Sequence, residues 1–255
     1  MLANERMTYI CEMLRKNGAV TTAQISSDLN VSIETVRRDF LTLEEQNRLV
    51  RVHGGAVSHT ISAERLSFRE RTGVNRTEKR VLSDAACDFI NEGDIIAIDA
   101  GSTAAEFAEI LRLRFNELTV ITHSLDVFER LQGKNGFKII LIGGNFLPDE
   151  KAFCGVTAVE NYKMLHFDKA FITPAAISLK NGLSDYEDVL VTVEKQMLDS
   201  ADSVFVLADS DKFEKTALYR LSPTNSCFTF VTDSGLSDEL KALYKENGIT
   251  VIIKG

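Results

Sequence analysis

Apolar residues in the first sixty positions recur at helical spacing in three short runs, and then the period changes. Met7, Ile10 and Leu14 form one stripe, Ile25 and Leu29 a second, and Ile33, Val36, Phe40 and Leu43 a third. Steps of three and four residues place each set on one face of an amphipathic helix. Gly18 separates the first two helices, Asn30 and Val31 make a tight turn into the third, Thr21 or Thr22 caps the second, and Ser32 caps the third. After Asn47 the pattern alternates through Leu49, Arg51, Val52 and His53, reverses at Gly54-Gly55 and resumes with Ala56 and Val57, a hairpin signal. Three helices followed by a glycine-turned ribbon predict a winged helix-turn-helix over residues 1–57.

The polar positions of the third helix give that module its chemistry. Glu34 and Arg38 lie opposite the apolar stripe, while Thr35 and Arg37 flank it. The exposed face is therefore short, basic and close to the helix N-terminus, where a recognition helix enters a major groove. Ser32, Glu34, Thr35, Arg37 and Arg38 are the candidate DNA contacts of the helix, and Arg51, His53, Gly54 and Gly55 those of the wing. Glu34 and Arg38 stand four residues apart and fit a solvated surface ion pair equally well. The complete arrangement of helices, ribbon and basic face favours the DNA reading.

Ser58 to Arg80 is polar and charged, with Phe68 its one aromatic residue. It reads as a linker, assigned to residues 58–76 and partly helical over Ala63–Arg71. A helix from about Thr77 to Asn91 follows, with Val81, Ala85 and Phe89 on its apolar stripe and Glu78, Lys79 and Arg80 as its solvated first turn. From Asp94 onward, seven apolar runs alternate with helical segments: residues 95–99, 118–122, 138–142, 169–173, 203–209, 228–233 and 250–254. This is the habit of a mostly parallel sheet with helices on both faces, an α/β domain assigned to residues 77–255. In such sheets the ligand crevice lies beyond the carboxyl ends of the strands. Those ends carry Asp99, Gly101, Ser102 and Thr103, then Thr122, His123 and Ser124, then Gly143 and Gly144, then Asp209 and Lys212. Hydroxyls, close-approach glycines, a helix N-terminus and a lysine suit a small anion, with Asp99 orienting ligand hydroxyls.

Composition sharpens this picture. The 255 residues are 44% hydrophobic and 26% charged, with a net charge of −8. That charge is unevenly shared: residues 1–80 hold 13 Lys and Arg against 10 Asp and Glu, and residues 81–255 hold 16 against 27. The basic excess directs the N-terminal module toward phosphates, and the acidity belongs to the second domain. No run approaches the length of a membrane helix, and MLANERMTYI lacks a signal-peptide pattern, so the expected location is the cytoplasm. Cys11, Cys87, Cys154 and Cys227 show no metal or disulfide spacing and are expected as reduced core thiols. No metal site, cofactor or catalytic residue is assigned. Two alternatives stay open: a sugar-phosphate isomerase-like enzyme or transferase fused to a DNA-binding module, for which Asp99, Asp168, Asp185 and Lys212 would supply acid-base groups although none forms a catalytic pair by spacing, and a purely architectural DNA-binding protein.

The chain resembles the DeoR-type transcriptional regulators. The resemblance is carried by VSIETVRRDF, by Arg51 to Ala56, by DAGST (99–103), LTVITHS (118–124), LIGG (141–144), LADSDKF (207–213) and VTD (231–233). It implies a repressor of carbohydrate-catabolic genes, and a second domain similar to the ribose-phosphate isomerase and CoA-transferase sheet that senses a phosphorylated sugar or related metabolite. It implies Gly101, Ser102, Thr103, Thr122, Gly143, Gly144 and Lys212 as effector contacts. The chain departs from the family pattern at His123, Asp211, Thr173-Pro174 and Glu194-Lys195. The expected partners are operator DNA, a small anionic metabolite and further copies of the chain, as a homodimer or higher oligomer, because one module reads too few base pairs to select a site.

Overall fold

The computed structural model describes residues 3–46, 48–52, 54–57 and 68–254. Helices α1 (Ala3–Asn17), α2 (Thr22–Leu29) and α3 (Ile33–Glu45) enclose a small core of Ile10, Leu14, Ile25, Val36, Phe40, Leu43 and Leu49. Thr21 caps α2 by accepting from Gln24 N, and Ser32 caps α3 by accepting from Thr35 N. Asn30, left-handed at φ 50°, makes the turn between them. Strands β1 (Ala19–Thr21), β2 (Val50–Val52) and β3 (Gly55–Val57) form an antiparallel sheet in the order β1-β3-β2.

One sequence expectation for this module changes. Ile33 is 47% exposed rather than on the buried stripe, because it stands in the first turn of α3, ahead of the region covered by α1 and α2. Asp39 takes a place on the inner face instead, where Arg6 of α1 grips it through Nε and Nη2 at 2.7 and 2.9 Å. A buried carboxylate is tolerable only with such a partner.

Beyond α4 (Phe68–Arg71) and α5 (Arg76–Cys87), seven parallel strands form the main sheet. They are β4 (Ile95–Ile98), β5 (Leu118–Thr122), β6 (Phe137–Leu141), β9 (Phe167–Ile172), β12 (Ala201–Leu207), β14 (Phe228–Asp233) and β15 (Thr250–Lys254), in the order β15-β14-β12-β9-β4-β5-β6. Successive residues of a strand face opposite sides, and the burial pattern follows suit. Ile96, Ile98, Phe171, Phe205 and Leu207 join one core with α5, α6 (Ser102–Arg114) and α7 (Leu125–Leu131). Ala97, Ala170, Ile172, Val204 and Val206 join another with α8 (Val156–Lys163), α9 (Asp188–Asp199) and α10 (Asp238–Glu246).

The expected stripe of α5 shifts in register. Leu82, Ser83, Ala85 and Ala86 are buried with Lys79, while Val81 and Phe89 are half-buried. Two small antiparallel additions were not anticipated: the hairpin β7 (Asn145–Leu147) and β8 (Ala152–Cys154), and a sheet of β10 (Ala176–Ser178), β11 (Gly182–Asp185) and β13 (Tyr219–Ser222). Cys87 and Cys154 are buried and Cys11 half-buried, but Cys227 is exposed and not a core thiol.

Chain order fixes where a ligand fits. From β4 the strands run outward to β5 and β6, then return to β9 on the other side of β4 and continue through β12, β14 and β15. The gap between the carboxyl ends of β4 and β9 is thus the switch point at which such sheets open a crevice.

Candidate functional site

The outer face of α3 presents Glu34, Arg37 and Arg38 to solvent. Arg37 Nη1 and Arg38 Nε lie 4.0 and 3.6 Å from the same Glu34 carboxylate, all with side chains at least 63% exposed. Pairs this loose and solvated contribute little to stability, so both guanidinium groups stay available to a partner. Ser32 and Thr35 share a hydroxyl contact of 2.8 Å at the start of the helix. Arg51 of β2 is held more firmly, with N and Nε donating to Glu44 at 2.9 and 2.6 Å. Arg37, Arg51, Gly54 and Gly55 line one cleft between α3 and the wing, floored by Thr22 and Phe40. His53 lies outside the described residues.

At the switch point the structure opens a cavity of ≈ 240 Å3. Ligand sites for drug-sized molecules span roughly 300–1,000 Å3, so this one suits a small metabolite. Its walls come from the ends of three strands and from the segment that precedes the sheet. Gly101, Ser102 and Thr103 follow β4, Thr173, Pro174 and Ala175 follow β9, and Asp209, Asp211, Lys212 and Lys215 follow β12. Arg71, Val74, Asn75 and Lys79 close the remaining side.

Each wall has a local reason for its shape. Gly101 adopts φ 114°, which an L side chain rarely takes, and among the described residues no side chain caps the α6 that it opens. The first amides of that helix are therefore left for an anion. Lys79 is only 3% exposed. Its Nζ donates to the carbonyls of Arg71 and Val74 at 2.6 and 2.7 Å and to Ser102 Oγ at 3.1 Å. Burial lowers its pKa to about 8, against the opposing pull of Asp209. The expected solvated first turn is thus corrected: Lys79 is turned inward, on the same helical face as Leu82, Ser83 and Ala86. That periodicity was the signal available in the sequence.

Arg71 pairs with Glu150, and Asn75 Nδ2 donates to Asp211 Oδ2 at 2.8 Å. These contacts seat the end of the linker on the sheet. Asp209 is 1% exposed, and its Oδ1 has no hydrogen-bond partner among the described residues. Burial raises its pKa, with Lys212 and Lys79 opposing. An acceptor left bare in a basic cavity is matched to a ligand hydroxyl or amine.

Five of the eleven sequence-selected crevice residues line this cavity: Gly101, Ser102, Thr103, Asp209 and Lys212. The others do not. Asp99 stands behind the wall, its carboxylate accepting from Ala100 N and Thr173 N at 2.8 Å each. Thr122 Oγ1 accepts from Ser124 N, and Ser124 caps α7. Both, with His123, are fully buried because the β7–β8 hairpin folds over the end of β5: Phe153 N donates to His123 O at 2.8 Å, and Ser124 bridges to Ala152. His123 Nδ1 contacts Tyr162 Oη at 3.2 Å, and burial lowers its pKa to about 4. Gly144 sits under the same hairpin, where an added β-carbon would strike Cys154 O. Gly143, beside it at the end of β6, is also outside the cavity wall. Sequence reasoning missed the other nine lining residues: Arg71, Val74, Asn75, Lys79, Thr173, Pro174, Ala175, Asp211 and Lys215.

Among the described residues, no group of His, Cys, Asp or Glu is placed to hold a metal ion, and no helix is long and apolar enough to cross a membrane.

Comparison with known proteins follows this division. A family model described as a DeoR-like helix-turn-helix domain matches residues 6–62, and one described as the DeoR C terminal sensor domain matches residues 74–234. The chain is 30% identical to the HTH-type transcriptional repressor GlcR of Bacillus subtilis over 99% of its length and 97% of that protein. It is 32% identical to the lactose phosphotransferase system repressor of Lactococcus lactis over 94% of each. Among solved structures, ribose 5-phosphate isomerase A from Methanocaldococcus jannaschii is a distant neighbour, with 18% identity and a TM-score of 0.41 over 55% of each chain.

Proposed function

The chain belongs to the DeoR family of DNA-binding transcriptional regulators, a non-enzymatic family, and from that premise we propose that it is an effector-controlled repressor of carbohydrate-catabolic genes. The fused-isomerase alternative is set aside by this membership. The effector is a phosphorylated sugar or related small anion held in the switch-point cavity. Its phosphate meets the free amides at the start of α6, with Ser102, Thr103, Lys79 and Lys212 around it, and Asp209 takes a hydroxyl. The observation that carries this reading is Lys79, a buried cation 3.1 Å from Ser102 Oγ at an uncapped helix N-terminus. Arg37, Arg38, Thr35 and Ser32 contact the major groove, and Arg51, His53 and the glycine turn contact the adjacent backbone. The chain acts in the cytoplasm as a homodimer or higher oligomer that places two modules on a two-fold operator. Bound effector can act only through its unequal affinity for the DNA-competent and DNA-incompetent arrangements.

A thermal-shift panel of pentose and hexose phosphates, each beside its unphosphorylated parent, tests the site. We expect a phosphorylated member to stabilise the chain by about 2.7 kcal/mol at a hundredfold excess over Kd, with the parent sugar inactive and the effect lost in Lys212→Ala. Equal response to phosphorylated and parent sugars, or none to either, would remove the phosphate from the proposal.

A further inference from the structure

The wing does not stand clear of the sensor domain. Ala19 and Val57 of the wing sheet are buried in one cluster with Leu218, and Val50, Val52 and Tyr219 pack around them. Leu218 and Tyr219 belong to the sensor, at the start of β13. The tip of the wing is involved as well: a β-carbon added to Gly54 would collide with the Tyr219 hydroxyl, while one added to Gly55 would first strike Val20 O of the neighbouring strand β1, with Leu218 Cδ1 3.2 Å away. The glycine doublet thus serves two ends. Gly54 at φ 77° allows the tight reversal and its missing side chain admits Tyr219, while Gly55 is required first by the close pass of the Val20 backbone in β1.

The platform that meets the wing is fixed to the cavity wall. Ala217 N donates to the buried Ser184 Oγ at 2.9 Å. Tyr219 lies in register opposite Asp185 of β11, and Asp185 Oδ2 accepts from Ala175 N at 3.2 Å. Ala175 lines the cavity, as does Lys215, three residues before Leu218.

We propose that Leu218 and Tyr219 are positioning residues that compete with DNA for the wing, so that a duplex must displace β13 from Gly54 and Gly55 before the wing can dock. This rests on the reading of the wing as a DNA contact. Among the described residues the cluster has three buried members, of which Val57 alone is fully enclosed, a small contact for phosphate interactions to outcompete. Apparent DNA affinity is then the open-state affinity multiplied by the fraction of molecules that are open.

The test uses the full-length chain and a duplex that it selects from a random-sequence library. Leu218→Ala and Tyr219→Ala, each verified as folded by thermal unfolding, are expected to bind that duplex roughly 5-fold more tightly than the unaltered chain. Mere structural damage would weaken binding instead. Affinity that is unchanged or lower in both folded variants overturns the proposal. The unaltered chain allows a second, independent measurement: nitration of Tyr219 by tetranitromethane, located by mass spectrometry, is expected to rise when the duplex is added, and no rise overturns it. Arg51→Ala separates the two readings. If it binds as the unaltered chain does, the wing is no DNA contact; if it binds more weakly and the β13 variants do not tighten, only the competition fails.

Discussion

Lys79 joins charge, fold and ligand chemistry in one side chain. It fastens the turn between Arg71 and Val74 and brings a cation to the cavity. Its pKa is lowered from the ordinary 10.5 to about 8 by burial. Between those two values the unfolded chain holds the extra proton, so the contribution of this group to stability rises with pH from about 8 to 10.5. Anion binding has the opposite sense, because a neutral amine attracts no phosphate. We expect effector affinity to fall as pH increases through about 8, with proton uptake on binding that calorimetry in buffers of different ionisation enthalpy will register. A pH-independent Kd between pH 7 and 9 would leave Lys79 a purely structural tie. His123 shows the converse case: a polar residue at a strand end invites a ligand role, yet its ring lies fully buried against Tyr162.

Among the elements, α3 separates what supports the module from what reads a partner. Ser32 supplies the cap to Thr35 N, and Arg38 contributes only a loose pair with Glu34. Ser32→Ala should therefore cost about 1 kcal/mol of stability in urea unfolding. Arg38→Ala should leave stability within about 0.5 kcal/mol and weaken specific duplex binding by about 1–3 kcal/mol if it reads a base. Loss of stability without loss of binding in Arg38→Ala would reverse these roles. The same scale shows what the chain makes legible. The seven main strands stand out because a parallel strand buried on both faces is a continuous apolar run. The hairpin β7–β8 and the sheet of β10, β11 and β13 do not, since strands of three or four residues carry too little alternation to register. That omission explains the misplacement of Thr122, His123 and Ser124, which are strand-end residues under a hairpin that leaves no signal. Gly101 to Thr103 were readable as cavity wall because glycine and hydroxyls directly follow a strong strand. Arg71 and Asn75 were not, because they reach the cavity from outside the sheet.

Across the whole molecule, charge and attachment act together. The net charge is −8, yet the excess over residues 1–80 is positive. Duplex binding should therefore weaken steeply with salt, with log K falling by about 0.9 per neutralised phosphate for each unit of log salt concentration. Arg51→Ala should reduce that slope by about one if its guanidinium leaves Glu44 for a phosphate. A slope near zero in a titration over salt concentration would place the basic residues elsewhere than on DNA. The seating of Leu218 and Tyr219 against the glycine turn carries a consequence for how such chains evolve and are engineered. A chimera that joins this sensor to another regulator's reading head would confront Tyr219 with whatever side chain replaced Gly54. The two halves are a fitted pair rather than interchangeable cassettes, and exchanging one requires recutting the few residues of β13 that face the other.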